Sequence, residues 1–236
     1  MKIVAHRGYS ALYAENSLVA FEQAIAGGAD YIEADVRIAA DGIPVCWHDP
    51  DLARVTGVRT VIADTPAAAL AAIALPQGAH IHRLDEVLAF ARRKVPVMLD
   101  VKGADRSAPG AIMRSIAAAG ITDEVVYGVR TAEQAAALTA SDARFARLAM
   151  PAQPEGLDAF PLEHVTGVRL WEDQVDATSL ERIRDCGLSV WVTAGMRGRG
   201  EAPGYIDPQR LRALRRMRVD AVLVNDIALA ADVKGD

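Results

Sequence analysis

Only two cysteines occur in the chain, Cys46 and Cys186, far apart in sequence. Two lone thiols cannot build a disulfide framework and fit a reducing, cytoplasmic setting. There is no basic excess either. Twenty-six Lys and Arg stand against 31 Asp and Glu, a formal charge of −5, which argues against a nucleic-acid-binding face. No apolar run approaches the roughly 18–20 residues of a membrane span. The N-terminus does not read as a signal peptide, because His6 and Arg7 interrupt the apolar start. What is present is 236 residues, 51% hydrophobic and 24% charged, with no low-complexity segment. That is enough for a sizeable core and excludes disordered and fibrous classes.

Eight short β-rich runs recur: Ile3–His6, Tyr31–Val36, Val95–Val101, Glu124–Val129, Arg144–Met150, Thr166–Trp171, Ser189–Ala194 and Asp220–Asn225. Several are continuous Val, Ile and Leu stretches, the composition of parallel strands covered by helices. Helical patterns fall between most of them: Ser17–Ala26, Leu84–Arg93, Ala108–Ala119, Thr131–Thr139, Thr178–Cys186 and Pro208–Arg218. Eight β/α units in this length predict an α/β chain folded as a TIM (β/α)8 barrel, one domain over residues 1–236. A doubly wound sheet is the competitor, but no Gly-rich phosphate fingerprint follows the first run.

One interval is too long, from the second run to the third. The excess, about residues 42 to 82, reads as an insertion after the second strand and holds a further strand-like run, Pro44–His48. With no room for a crossover helix, that run must return antiparallel through a turn at Asp41-Gly42. A two-residue turn sets Asp35 opposite His48. A three-residue turn sets Ala34 there and directs the imidazole away, unless a bulge or twist re-aims it. The chemistry of the site favours the first.

In a barrel, the polar residues at the C-terminal strand ends mark the site. Here they are His6-Arg7-Gly8, Glu33 and Asp35, His48-Asp49, and Asp100 with Lys102. Spacings of two put Glu33 with Asp35, and Asp100 with Lys102, on common faces pointing into the mouth. Three converging carboxylates repel one another unless a cation sits among them, and all-oxygen ligation suits Mg2+ or Ca2+. With such an ion, Arg7 and Lys102 leave a small positive balance that attracts an anion, and Arg offers a fork matching phosphate. Two histidines supply an acid and a base. Together these groups point to phosphoester hydrolysis.

The motifs AHRG at 5–8, ENS at 15–17, YIEADV at 31–36 and WHD at 47–49 resemble the glycerophosphodiester phosphodiesterase family, with weaker matches at MLDVK (98–102), VWVT (190–193) and VDAVLVND (219–226). The resemblance implies metal-dependent hydrolysis of a small-molecule glycerophosphodiester to sn-glycerol 3-phosphate and an alcohol, a reaction of lipid and glycerol metabolism. It implies a metal at Glu33, Asp35 and Asp100, an acid/base pair of His6 and His48, and phosphate binding by Arg7 and Lys102. Asp100 stands where the family usually has Glu, Ser17 where it usually has Thr, and Thr193-Ala194-Gly195 where it tends to have Asn.

Further candidates are less sharply defined. Asn16 or Ser17 caps the first helix, and Asn16 could also touch substrate. Trp47, Trp171 and Trp191 are expected near the mouth, with Trp171 or Trp191 shaping the alcohol pocket. Arg169 and Glu172 flank Trp171, and the Gly/Arg-bearing loop after the seventh run reads equally as a lid or a surface loop. Asn225-Asp226 is expected to cap a short last helix. Alternatives are a relative acting on lysophospholipid or sugar phosphodiesters, which the Gly/Arg loop and the 5% aromatic content disfavour for lipid, or a non-catalytic binder of phosphodiesters.

Overall fold

The computed structural model describes residues 1–103, 108–139 and 145–235. Eight parallel strands close into a barrel: β1 (Lys2–His6), β2 (Tyr31–Ile38), β4 (Val97–Val101), β5 (Val125–Val129), β6 (Ala146–Ala149), β7 (Gly167–Trp171), β8 (Ser189–Thr193) and β9 (Ala221–Val224). Closure comes from β1, which pairs in parallel with both β2 and β9. The ninth strand, β3 (Pro44–Cys46), pairs antiparallel with the end of β2. All eight expected runs are strands; Arg144, the expected start of one, lies outside the described residues.

Around the barrel run α1 (Leu18–Ala26), α4 (Leu84–Ala91), α5 (Ala108–Ala119), α6 (Ala132–Thr139), α7 (Ala177–Asp185), α8 (Pro208–Arg216) and α9 (Ile227–Gly235). Side-chain caps start several of them. Ser17 accepts from the Ala20 amide, Asp176 from Ser179, and Asp207 from Gln209 and Arg210 ahead of Pro208. Between β6 and β7 lie two short 3-10 turns where a complete β/α repeat would have a helix. The segment after β2 carries the short helices α2 (Ala53–Thr56) and α3 (Ala67–Ala71) and its own apolar cluster around Trp47, Leu52, Ile62 and Leu70. Among the described residues, no helix is long and apolar enough to cross a membrane.

Alternation along the strands makes two cores. Ile3, Ala5, Ile32, Ala34, Val36, Leu99 and Val101 face outward to the helices. Val4, Met98, Val126, Leu148, Met150, Trp191, Ala221 and Leu223 fill the barrel interior. The parity that sends Ile32, Ala34 and Val36 outward sends Glu33, Asp35 and Arg37 inward.

The β2–β3 turn differs from the favoured expectation. Val36 pairs with Cys46, Arg37 with Val45 and Ile38 with Pro44, and the Ala39 amide reaches the Ile43 carbonyl. Three residues, 40 to 42, therefore make the turn, and the Trp47 amide, not His48, bonds the Asp35 carbonyl. His48 still reaches the site because β3 ends at Cys46 and residues 48–50 bend, so strand parity no longer governs it. Arg37 Nε holds the His48 carbonyl at 2.8 Å.

Two of the three tryptophans are not at the mouth. Trp47 is buried in the cluster after β2, its Nε1 donating to the Asp51 carbonyl. Trp191 lies deep in the barrel, edge-on to Tyr31 at 5.0 Å, with Nε1 donating to Ser189 Oγ. It faces a cavity of about 760 Å3 at the opposite, N-terminal end of the strands. Trp191 is thus no part of an alcohol pocket at the mouth: three inward positions along β8 run from Ser189 at the bottom to Thr193 at the top, and Trp191 is the middle one.

Candidate active site

The strand ends enclose a small cavity of about 110 Å3, lined among others by His6, Arg7, Glu33, His48, Asp100 and Lys102. The larger cavity at the other end has Asp220 as its one lining carboxylate, which accepts from the Val190 amide. Of these two cavities, the smaller brings histidines, clustered carboxylates and cations together at the C-terminal strand ends, and it is the candidate site.

Its entry from β1 is a left-handed turn. Arg7 has φ 58°, unusual for a residue with a β-carbon and costing about 1–3 kcal/mol. The conformation aims the Arg7 amide at Glu33 Oε2, 2.8 Å away. Gly8 follows at φ 82°, and a β-carbon there would stand 2.7 Å from the Ala20 backbone, so only glycine fits.

Asp35 is fully buried at the centre. Asn16, itself at φ 57°, clasps it twice: Nδ2 donates to Asp35 Oδ2 and Oδ1 accepts from the Asp35 amide, each at 3.0 Å. Asn16 therefore orients Asp35 from behind the cavity, and Ser17 takes the capping role. Arg7 Nε lies 3.0 Å from Asp35 Oδ2 and Lys102 Nζ 2.9 Å from Oδ1. Neither contact is aligned as a hydrogen bond, so Asp35 Oδ1 remains a buried acceptor with charge beside it but no directed donor. Lys102 directs its hydrogen bond to Asp100 Oδ2 at 2.6 Å. Arg130, after β5, donates from its single Nη2 to both oxygens of Asp100, at 2.6 and 2.8 Å.

Glu33, Asp35 and Asp100 each offer an oxygen, all within 4.8 Å of one another. Burial first, then Asp35 and Asp100, raise the Glu33 carboxyl well above its ordinary range. Burial also works to raise Asp35, but Lys102 and Arg7 outweigh it and hold that carboxyl well below the usual values. Buried like charges, an unaligned oxygen and an all-carboxylate donor set fit a metal ion, and the three residues could hold one. Although one methylene shorter than Glu, Asp100 reaches the cluster.

The two histidines differ in setting. His6 Nδ1 lies 2.8 Å from Asn225 Oδ1, and the Asn225 amide nitrogen donates to the Pro203 carbonyl. With Oδ1 as the acceptor, His6 carries its proton on Nδ1 and leaves Nε2 free. Burial, then Arg7, lower its pKa to about 4. His48 is one-third exposed, with Nδ1 2.7 Å from Asp49 Oδ1. Arg54 bonds the other Asp49 oxygen and also Glu15, which pairs with Arg7. Burial would raise the Asp49 carboxyl, but the bonds from His48 and Arg54 lower it, keeping it charged.

Across the mouth, Arg169 lies 4.8 Å from the Trp171 ring, and Arg197 lies 4.7 Å from the same ring. Burial lowers Arg169 to a pKa of about 10, which leaves it charged at neutral pH. Glu172 instead pins the loop after β8: it accepts from the Gly195 amide and from Arg210, which also holds Glu201. Gly198 is tied to Asp173 and Gly204 to Ala194. That loop is fastened at each of these points, so it has the build of a fixed wall and not of a free lid.

Sequence reading assembled His6, Arg7, Glu33, Asp35, His48, Asp100 and Lys102 at one mouth, as found. It missed Arg130 and the part Asn225 plays. Arg130 had a signal, as an inward position two residues past Gly128 in β5; Asn225 had none, since its partner lies 219 residues away.

Known proteins resemble this chain in sequence and in fold. The sequence model of the glycerophosphoryl diester phosphodiesterase family matches residues 6–150. A glycerophosphodiester phosphodiesterase from Bacillus altitudinis is 44% identical over 63 residues, 27% of this chain and 26% of that protein. The aligned part thus spans about a quarter of that relative's length. The crystal structure of a glycerophosphodiester phosphodiesterase from Agrobacterium tumefaciens matches 98% of this chain and 99% of its own, with TM-score 0.79 and 25% identity. An Oleispira antarctica phosphodiesterase, solved in complex with the product sn-glycerol-3-phosphate, matches 100% of this chain and 97% of its own, with TM-score 0.86 and 20% identity. With a family match that takes in well over half its residues, the chain belongs to the glycerophosphoryl diester phosphodiesterase family.

Proposed function

We propose that the chain hydrolyses glycerophosphodiesters to sn-glycerol 3-phosphate and an alcohol with the help of a divalent cation, Mg2+ or Ca2+, and that residues 1–236 act as one domain. The observation that carries this reading is the convergence of Glu33, Asp35 and Asp100 within 4.8 Å, beside Arg7, Lys102 and two histidines that are anchored through Nδ1 and have no Nε2 partner among the described residues. A cation held by the three carboxylates would supply Lewis-acid neutralisation of the phosphodiester oxygens. Arg7 and Lys102 bind the same oxygens and stabilise the charge that grows on them. Asn16 keeps Asp35 in place.

The histidine settings divide the proton transfers. His6, neutral at physiological pH and anchored through Nδ1, takes the proton of the attacking hydroxyl at Nε2. His48, with the Asp49 carboxylate behind it, returns a proton to the departing alkoxide. His6→Ala and His48→Ala should each lower kcat on glycerophosphoglycerol by at least about 10²-fold. An activated alcohol of low pKa leaves without a proton, so His48→Ala should regain most of its rate on such a diester and His6→Ala should not. Near-normal kcat in either variant contradicts the pair; equal losses on both substrates contradict the division of roles.

A further inference from the structure

Most cations of the mouth are spoken for. Arg7 contacts Asp35 and Glu15, Lys102 contacts Asp35 and Asp100, and Arg130 pairs with Asp100 through Nη2. Arg169 differs. It is 4% exposed, has no carboxylate within ion-pair distance among the described residues, and its Nη1 has no hydrogen-bond partner. Asp100 and Glu33 act on it only from a distance, and a buried guanidinium with no direct ion pair is costly to keep; it lines the cavity. It is therefore built to meet an anion that arrives from outside.

Strand order says which part of a substrate it meets. Around the barrel the strands run β1, β2, β4, β5, β6, β7, β8, β9, so β7 stands directly across from β2. The reacting phosphate belongs with Arg7, Lys102 and the carboxylates of β2 and β4. A substrate group that projects from there across the mouth would meet Arg169. The aromatic ring lining the cavity, Trp171, would otherwise suit a quaternary ammonium, but the guanidiniums of Arg169 and Arg197 already lie against it.

We propose that Arg169 recognises a second anionic group, a carboxylate or phosphate, on the alcohol part of the glycerophosphodiester, so that the favoured substrates carry an anionic alcohol and not choline. This rests on the phosphodiesterase reading above. The test compares kcat/KM of the metal-supplemented protein on three diesters: glycerophosphocholine, glycerophosphoglycerol and glycerophosphoglycerate. Values should rise from the cationic through the neutral to the anionic alcohol. Arg169→Met should lower kcat/KM on the glycerate diester by about 10- to 100-fold, the scale of one charge-assisted hydrogen bond, while changing the glycerol diester little. Arg169→Lys should keep part of the preference. Arg169→Met should also melt no lower than the parent, because it removes an unpaired buried charge. Turnover without charge preference, or equal losses on all three diesters in Arg169→Met, overturns the assignment of Arg169 alone. No glycerol 3-phosphate from any of the three overturns the phosphodiesterase reading itself.

Discussion

His6 shows how one side chain is tuned by its neighbours. Asn225 fixes the tautomer and burial suppresses the charge, so the imidazole should titrate near 4. An NMR titration of the ring checks this, and a midpoint at the ordinary 6.5 contradicts it. The same shift has a stability sign. Unfolded His6 takes its proton near 6.5 and folded His6 near 4, so the unfolded state binds more protons between them. Stability from this group is therefore lost as pH falls from 6.5 to 4, and His6→Gln should remove that part of the loss. Parity along single strands was enough to find Glu33, Asp35, Asp100 and Lys102, because a two-residue period fixes which way each points. Asn225 could not be found that way, because its contact with His6 exists only once β9 closes the barrel on β1.

At the scale of elements, the eight strands and their covering helices were legible because Val-, Ile- and Leu-rich runs alternate with helical patterns. The turn between β2 and β3 was not. Asp41-Gly42 serves two-residue and three-residue turns equally well, and the choice is made by pairing of Ala39 with Ile43. Trp191 was misplaced for a related reason: a position in the middle of a strand faces the barrel interior at mid-depth, away from the mouth. The loop after β8 carries a consequence for catalysis. Gly204 has φ 82°, and a β-carbon there would overlap Asn225 Oδ1, the anchor of His6. Gly204→Ala should push that amide aside and lower kcat by about 10- to 100-fold with the fold retained by circular dichroism, since small misplacements cost on that scale. Unchanged kcat would break the link between this loop and His6.

Over the whole molecule, an acidic chain of charge −5 presents a cationic mouth, where Arg7, Lys102, Arg130 and Arg169 gather around three acids. The negative overall charge is no bar to a small anionic substrate at this mouth. Glu33, with its raised pKa, must give up a proton when a cation binds, so metal affinity should rise with pH above the ordinary glutamate range and protons should be released. Calorimetry with Mg2+ and Ca2+ in buffers of different ionisation enthalpy measures both; an affinity independent of pH between 5 and 7 contradicts it. At a hundredfold excess over Kd the bound ion stabilises the fold by about 2.7 kcal/mol, visible as a raised Tm. The most direct measurement is a coupled assay for glycerol 3-phosphate, run on several glycerophosphodiesters with added Mg2+ or Ca2+ and again with EDTA. The structure predicts release with the cation, loss of release with EDTA and recovery when the ion is restored. Folded protein that binds the ion yet frees no glycerol 3-phosphate from any of these diesters would contradict it.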